Sequence, residues 1–565
     1  MKAKFLNLIA ICLCVFLALS CVGCNSSKAP VSSDNSSSDT DVVDNNSEDS
    51  SSNEDDEITE DEFDSEDYFE EEYYEDEYFD YEDEESTSQP FEIKAKIANT
   101  QPISTKYMGS GSGVYFCFSY MKDDYGRNAT DKQIKVEMDR LQNMGIHTVR
   151  TQFKFTWARD EKSPDGWNWE SEDMLAVYHW LGELKNRNID VMINPWSFEW
   201  LYNGETSIPD TDYFRADNFT ENSTRWCNAV AELFKQLRSR GYTNAKYLVL
   251  FTEPIPSKNK SDDANNCYVE NAKRLHTTLK NADLRNYVKI VGPNRSDDDT
   301  ELLEKCINEA DEAFDIYTQH RYLKSSSIIN DMYYDDALIK YEPFVNTVKS
   351  SKAKNKPFWL DEFNVQDASI SASNIGMDNS MRGLQMAVGI TAAMNLGADN
   401  VILWTLADQQ WTNQDNTAAA SGFNNGVLEH GLFNNIQLKA EPKSQYYSYS
   451  LLSKYCGRNN GKTYLAKPYE DYEYLGVTLG CVETSDGNWT IIITNNNTEE
   501  VKITVDIEKT LGGAKLYRHQ YLTSEDYRNI AAQIIPANKT FKNVTTGFTD
   551  VLRPASVAVY TTIKG

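Results

Sequence analysis

This sequence predicts an α/β fold, a (β/α)8 TIM barrel followed by a small antiparallel β-sandwich, on three observations. Eight short β-rich runs alternate with longer amphipathic stretches between about Ile103 and Tyr455, as expected for a parallel sheet wrapped by helices. After "EPKSQYYSYSLLSKY" the alternation gives way to short β-rich runs separated by turn residues, which reads as an antiparallel domain. Two glutamates, Glu253 and Glu362, fall at the ends of the fourth and seventh runs, where such a barrel gathers its functional groups.

The chain has 565 residues, enough for two or three structural units. Its opening, "MKAKFLNLIAICLCVFLALSCVGCNSS", sets two lysines before an apolar run and a small-residue end with cysteine, which is the pattern of an export signal. The apolar stretch from Phe5 to Leu19 is shorter than the roughly 20 residues a permanent span needs. The "CVGC" end resembles a bacterial lipobox. It implies that residues 1–24 are a lipoprotein-type signal with Cys24 as the site of lipid attachment, a plain secretory signal being the alternative.

Residues 25–90 form an acidic linker. About 27 carboxylates and no basic residue lie between Lys28 and Pro90, so self-repulsion keeps this segment extended. Without them the net charge of −32 falls to about −5, so the acidity belongs to the tail. The folded part carries no basic stripe, and nucleic acid is not an expected partner. A surface-anchored monomer facing outward from a bacterial cell is the expected setting. Six cysteines lie beyond the export segment, Cys117, Cys227, Cys267, Cys306, Cys456 and Cys481. Their scatter matches no metal-ligand spacing, and most are expected to be free and buried. The six histidines form no paired motif either, so neither a metal nor another cofactor is expected.

The barrel is assigned to residues 91–456. Its strand candidates are "SGVYFCFSY", "HTVRTQFKF", "DVMINPWSF", "KYLVLFTEP", "VKIVGPN", "FDIYTQHRY", "PFWLDEFN" and "VILWTLAD". Helix candidates such as "TDKQIKVEMDRLQNMG" and "TRWCNAVAELFKQLRSRG" lie between them, several opening after Thr, Ser or Asn and two closing at Gly. The sandwich is assigned to 457–565, with runs such as "YLGVTLGCVE", "NWTIIITNNN" and "SVAVYTTI".

Strands four and seven face each other across a barrel mouth, so Glu253 and Glu362 can stand about 5 Å apart, the spacing of a retaining glycosidase. At that distance two ionised carboxylates repel by roughly 3 kcal/mol, about two pKa units, which is expected to keep one protonated as the acid. Asp361 competes with Glu362 for the second role, because alternate strand residues point to opposite sides.

Across its barrel the chain resembles glycoside hydrolase clan A, on Glu253 in "VLFTEPIP" and Glu362 in "WLDEFNV". The "SVAVYTT" ending is similar to that of the clan's β-xylosidase and α-L-iduronidase family. The resemblance implies Glu253 as acid/base and Glu362 as nucleophile. It further implies Arg150 orienting the nucleophile, His320 and Tyr322 bonding nucleophile or substrate, and Trp404 as a floor under the sugar. Trp196, with Trp200 and Trp411, can stack on sugar rings by its apolar face. One position departs from the clan: Thr252 stands where an asparagine contacts the sugar's 2-hydroxyl. The expected function is a surface-anchored retaining glycoside hydrolase cleaving β-linked polysaccharide or oligosaccharide. The alternative is a glycan-capturing surface lipoprotein built on the same barrel.

Overall fold

The computed structural model describes residues 90–114, 130–160, 162–163, 166–196, 219–254, 262–325, 333–367, 380–410, 427–428, 431–434, 441–457, 460–469, 476–530 and 533–565. The export signal, the acidic linker, Cys24 and Cys117 lie outside them. The first described strand, β1 (Phe91–Tyr107), does not join the barrel. The barrel is closed by eight parallel strands in chain order: β2 (Ser110–Gly113), β3 (Thr148–Lys154), β4 (Asp190–Trp196), β5 (Ala245–Val249), β6 (Lys289–Arg295), β7 (Ile316–Ser325), β8 (Phe358–Asp367) and β9 (Asn400–Leu403). Between them run α1 (Asp131–Asn143), α2 (Glu172–Asn186), α3 (Phe219–Ser239), α4 (Asp262–Asn281), α5 (Glu301–Ala310), α6 (Tyr333–Lys349) and α7 (Ser380–Leu396).

Local chemistry accounts for these elements. Thr130 caps α1 through its hydroxyl while Gln133 reaches back to the Thr130 amide, a capping box that satisfies two backbone donors. Ser171 caps α2 through its hydroxyl alone, accepting from the Met174 amide at 3.2 Å. Along the strands, inward residues Met192, Tyr247, Val249, Val291, Ile316, Trp359 and Ile402 fill the lower barrel. Their neighbours Val191, Ile193, Leu248 and Ile290 face the helices, the alternation a strand imposes. This apolar plug leaves the carboxyl ends of the strands as the place for polar groups.

A short pair, β10 (Gln409–Gln410) with β11 (Val427–Leu428), follows the barrel and leads to α8 (Ser444–Tyr455). The remaining strands are β12 (Gly461–Pro468), β13 (Val477–Glu483), β14 (Trp489–Asn495), β15 (Val501–Ile507), β16 (Ala514–Leu522), β17 (Ala537–Val544), β18 (Gly547–Leu552) and β19 (Ser556–Thr561). With β1 they form one nine-stranded sheet in the order β17-β16-β19-β14-β13-β12-β1-β15-β18. Its two edge strands meet where Phe541 and Phe548 pack with ring centroids 5.3 Å apart, so the sheet wraps around a core of its own.

This corrects the boundary drawn at residue 91. Strand β1 pairs antiparallel with β12 and parallel with β15, so the segment before the barrel is an interior strand of the C-terminal sheet. Its alternation of buried Ile93, Ala95 and Ile97 with the exposed Lys94 and half-buried Lys96 suits a sheet with one covered face. The first barrel strand, read as "SGVYFCFSY" from Ser112, begins two residues earlier, at Ser110–Gly113, and residues 115–120 lie outside the described set. Among the described cysteines, Cys227, Cys306, Cys456 and Cys481 are buried free thiols, and Cys267 is half-buried.

Candidate active site

Arg150 sits on β3 with neighbours Val149 and Thr151, and its guanidinium enters the barrel, 1% exposed. A buried cation needs anionic partners. It finds them in Glu362, whose Oε2 accepts from Arg150 Nη1 at 2.5 Å. The other oxygen of Glu362 accepts from the Tyr322 hydroxyl. Both carboxylate oxygens are therefore fixed, one by a charged donor and one by a neutral donor. Tyr322 is pushed well above its ordinary range by burial and by Glu362 beside it, which keeps it a donor.

Glu253 lies just past β5, in the left-handed region at φ 44, a conformation that costs a non-glycine residue energy and recurs at functional sites. Its amide donates to the Asn294 carbonyl at 3.0 Å, and Asn294, at φ 64, is left-handed as well. Its carboxylate Oε1 meets His320 Nδ1 at 2.8 Å. The same nitrogen lies 3.4 Å from Glu362 Oε2, so the fully buried His320 bridges the two glutamates. One oxygen of each glutamate and a His320 nitrogen lie within 4.8 Å of one another.

The electrostatics differ from simple repulsion between two carboxylates. Burial alone would raise Glu253, but its hydrogen bond to His320, the His320 charge and Arg150 hold it below its ordinary value. Burial alone would lower His320, yet Glu362, the bond to Glu253 and Asp361 hold it above its own. In the unliganded site the histidine between the two glutamates thus favours the charged form of Glu253, in place of simple repulsion between carboxylates. The three donors have a spacing that could also receive a cation, but Arg150 already places a positive charge 2.5 Å from Glu362.

A bulge gives Asp361 and Glu362 different surroundings. Leu360 pairs with Gln319 and Glu362 with His320, leaving Asp361 as the extra residue, and a bulge re-aims the side chains around it. Asp361 is fully buried, accepts from the Asn294 amide and lies 3.8 Å from His320 Nε2. Burial raises its pKa. Glu362 takes the place beside Arg150 and Tyr322.

Trp404 follows β9 with its ring 4.9 Å from the Arg150 guanidinium carbon, a cation–π contact, and its peptide to Thr405 is cis. Gly113 makes room for it, since a methyl group there would fall inside the indole. Thr252 is reached by Asn194 of β4, whose amide nitrogen donates to the Thr252 hydroxyl. Trp196 ends β4, but its side chain, like Trp200 and Trp411, lies outside the described residues. The structure thus gathers Arg150, Thr252, Glu253, His320, Tyr322, Glu362 and Trp404 at one end of the barrel. Sequence reading missed Asn194, Asn294 and Gly113, although "INP" and "GPN" at strand ends were the available signals.

Residues 98–410 match the family described as cellulase, glycosyl hydrolase family 5. A comparison with curated proteins found no match. Among solved structures, the glycoside hydrolase family 30 subfamily 8 xylanase Xyn30A from Clostridium acetobutylicum is similar, at 15% identity and TM-score 0.53, covering 83% of this chain and 99% of that one. A monomeric beta-xylosidase from Caulobacter crescentus CB15 gives 14% identity and TM-score 0.54 over 83% and 99%. The GH39 enzyme from Xanthomonas axonopodis pv. citri gives 14% and 0.53 over 84% and 97%. At these identities the three support the fold. The family match spans more than half of the sequence, and on it the chain belongs to the cellulase family, glycosyl hydrolase family 5, as a clan A glycoside hydrolase.

Proposed function

We propose that this chain is a retaining hydrolase of xylan-type β-linked polysaccharide or its oligosaccharides, with Glu253 as acid/base and Glu362 as nucleophile. The observation that carries this reading is the approach of the two carboxylates within 4.8 Å, the spacing of direct attack and too close for an intervening water. Two of the similar solved structures are described as a xylanase and a beta-xylosidase, which supports the substrate class.

In the first step Glu362 Oε attacks the anomeric carbon as the glycosidic bond breaks, and the leaving oxygen takes the proton held by the Glu253–His320 pair. Arg150 and Tyr322 keep the nucleophile's oxygens aimed and share its charge. In the second step water gives a proton back to that pair, and its oxygen displaces Glu362 from the same carbon. Glu253→Gln should cost about 10²–10⁴-fold in kcat on unactivated glycosides, and Glu362→Ala should abolish turnover while thermal unfolding stays cooperative. Incubation of the residue 90–565 protein with xylan, β-glucan, mannan and aryl glycosides checks both. Proton NMR of the first product should show the β-anomer. An α-anomer as first product, or full activity in Glu362→Ala, would sink the assignment.

The same reading places the enzyme outside the cell, tethered through Cys24 with the acidic segment as spacer. Its support is the "CVGC" end and the charge of residues 25–90. Cys24→Ala should abolish incorporation of labelled palmitate and release the protein to the medium. Unchanged labelling would reject the anchor.

A further inference from the structure

Asp361 is fully buried beside the reacting groups, and no step of the reaction above uses it. Trp359 faces the barrel interior and Leu360 the helices, so strand alternation already turns Asp361 inward, and the bulge then brings Glu362 in as well. A ring of contacts joins Asp361 to the acid/base. Its Oδ2 accepts from the Asn294 side-chain amide, and the Asn294 carbonyl accepts from the Glu253 amide at 3.0 Å. Its Oδ1 lies 3.8 Å from His320 Nε2, and His320 Nδ1 meets Glu253 Oε1 at 2.8 Å. Among the described residues no hydrogen-bond donor reaches Oδ1, so the imidazole faces this oxygen across the gap as a charge partner. A buried carboxylate is costly without such a partner. The cations that oppose the cost here are His320 and Arg150, and Arg150 is itself bonded to Glu362.

We propose that Asp361 is a positioning residue for the acid/base: its buried carboxylate is the counter-charge behind the His320 ring and acts on Glu253 through that ring. This rests on the glycosidase reading above. The imidazole is faced from β3 by Arg150, whose Nη2 lies 3.5 Å from Nε2, from the end of β5 by Glu253, and from β8 by Glu362 and Asp361. Both glutamates meet Nδ1, so Asp361 is the anion on the Nε2 side, where it offsets the Arg150 cation. An anion so close raises the proton affinity of the groups around it. Asp361 thereby helps the Glu253–His320 pair keep its proton until the leaving oxygen takes it. Full burial keeps Asp361 itself from the sugar, so it works one contact removed.

Asp361→Asn removes the charge at nearly constant shape, and Asp361→Ser, smaller and also neutral, is carried beside it in case the first does not fold. Each is made alone and together with His320→Gln, with thermal unfolding as the check on folding. Two pH profiles are recorded: kcat/KM on 4-nitrophenyl β-xylobioside, and the ring signal of His320 in protein carrying 13C-labelled histidine, assigned by its loss in His320→Gln. With the anion gone the pair should release its proton earlier, so the alkaline limb of kcat/KM and the His320 titration should both move about 1–3 units lower in pH. In the His320→Gln background the Asp361 change should move the limb no further, since the residue it acts through is absent. Unmoved profiles overturn the proposal. An equal shift in the His320→Gln background also overturns it, by showing that Asp361 acts on Glu253 directly. Loss of turnover at every pH in folded Asp361→Asn would make Asp361 the nucleophile, against the proposal. A wild-type protein that does not cleave the glycoside overturns the glycosidase reading and the proposal with it; the His320 titration, which needs no turnover, tells that failure from a failure of the contact.

Discussion

At Glu253 two opposing influences meet, burial favouring its neutral form and His320 favouring its charged form, and the histidine wins. A carboxylate held below its ordinary 4.5 contributes stability above that pH and loses it as pH falls through the depressed value. A histidine held above its ordinary 6.5 contributes stability below that pH and loses it as pH rises through the raised value. The pair should therefore stabilise the fold most between 4.5 and 6.5. Urea unfolding from about pH 3 to 9 should show this optimum, and His320→Gln should flatten it; an unchanged profile in the variant would place the dependence elsewhere. The sequence made Glu253, Glu362, Arg150 and Tyr322 legible because strand-end position is encoded locally. The bridging place of His320 was not legible, because it depends on His320 being brought 2.8 Å from a residue 67 positions away.

Among elements, β8 shows how a strand can defeat a pattern. Strict alternation would send Asp361 and Glu362 to opposite sides, whereas the bulge lets both approach His320. Nothing in "WLDEFNV" marks the extra residue, since a bulge is set by the neighbouring strand's register. The β2 end makes a related point through Gly113, whose lack of a side chain is filled by the Trp404 ring. Gly113→Ala should destabilise by about 1–3 kcal/mol through overpacking and lower activity more than a remote substitution of equal cost, since the ring it displaces stacks on Arg150. Chemical denaturation and kcat/KM measured on the same preparation separate the two effects. By contrast α1 was readable to its first residue, because Thr130 and Gln133 close their capping box within four positions.

On the scale of the whole molecule, barrel and C-terminal sheet are joined by helices with no free face. Residues Arg382 to Met394 of α7 are all buried, as a helix between two layers requires. Asn395 ties the sheet directly, donating to the Ala466 and Leu479 carbonyls at 3.0 and 2.8 Å and accepting from the Ala466 amide at 3.0 Å. Thr391 and Thr478 hydroxyls meet at 2.8 Å. Because β1 is an interior strand of that sheet, a fragment of residues 457–565 lacks the strand between β12 and β15. It should fail to unfold cooperatively by calorimetry, and a fragment in which 90–107 is fused to it should recover a transition. A cooperative transition in the shorter fragment would show that β1 is dispensable.

The sequence by itself determined the alternation of strands and helices, the polar mouth at their carboxyl ends and the pair of glutamates placed there, because each follows from short-range periodicity and strand-end chemistry. Tertiary structure alone decided that β1 belongs to the C-terminal sheet, that a bulge presents Glu362 to Arg150, that His320 stands between two carboxylates, and that Asn194 stands behind Thr252. Each of these depends on pairing between strands distant in sequence, where register and burial, set by the packing of the whole chain, determine which side chains meet.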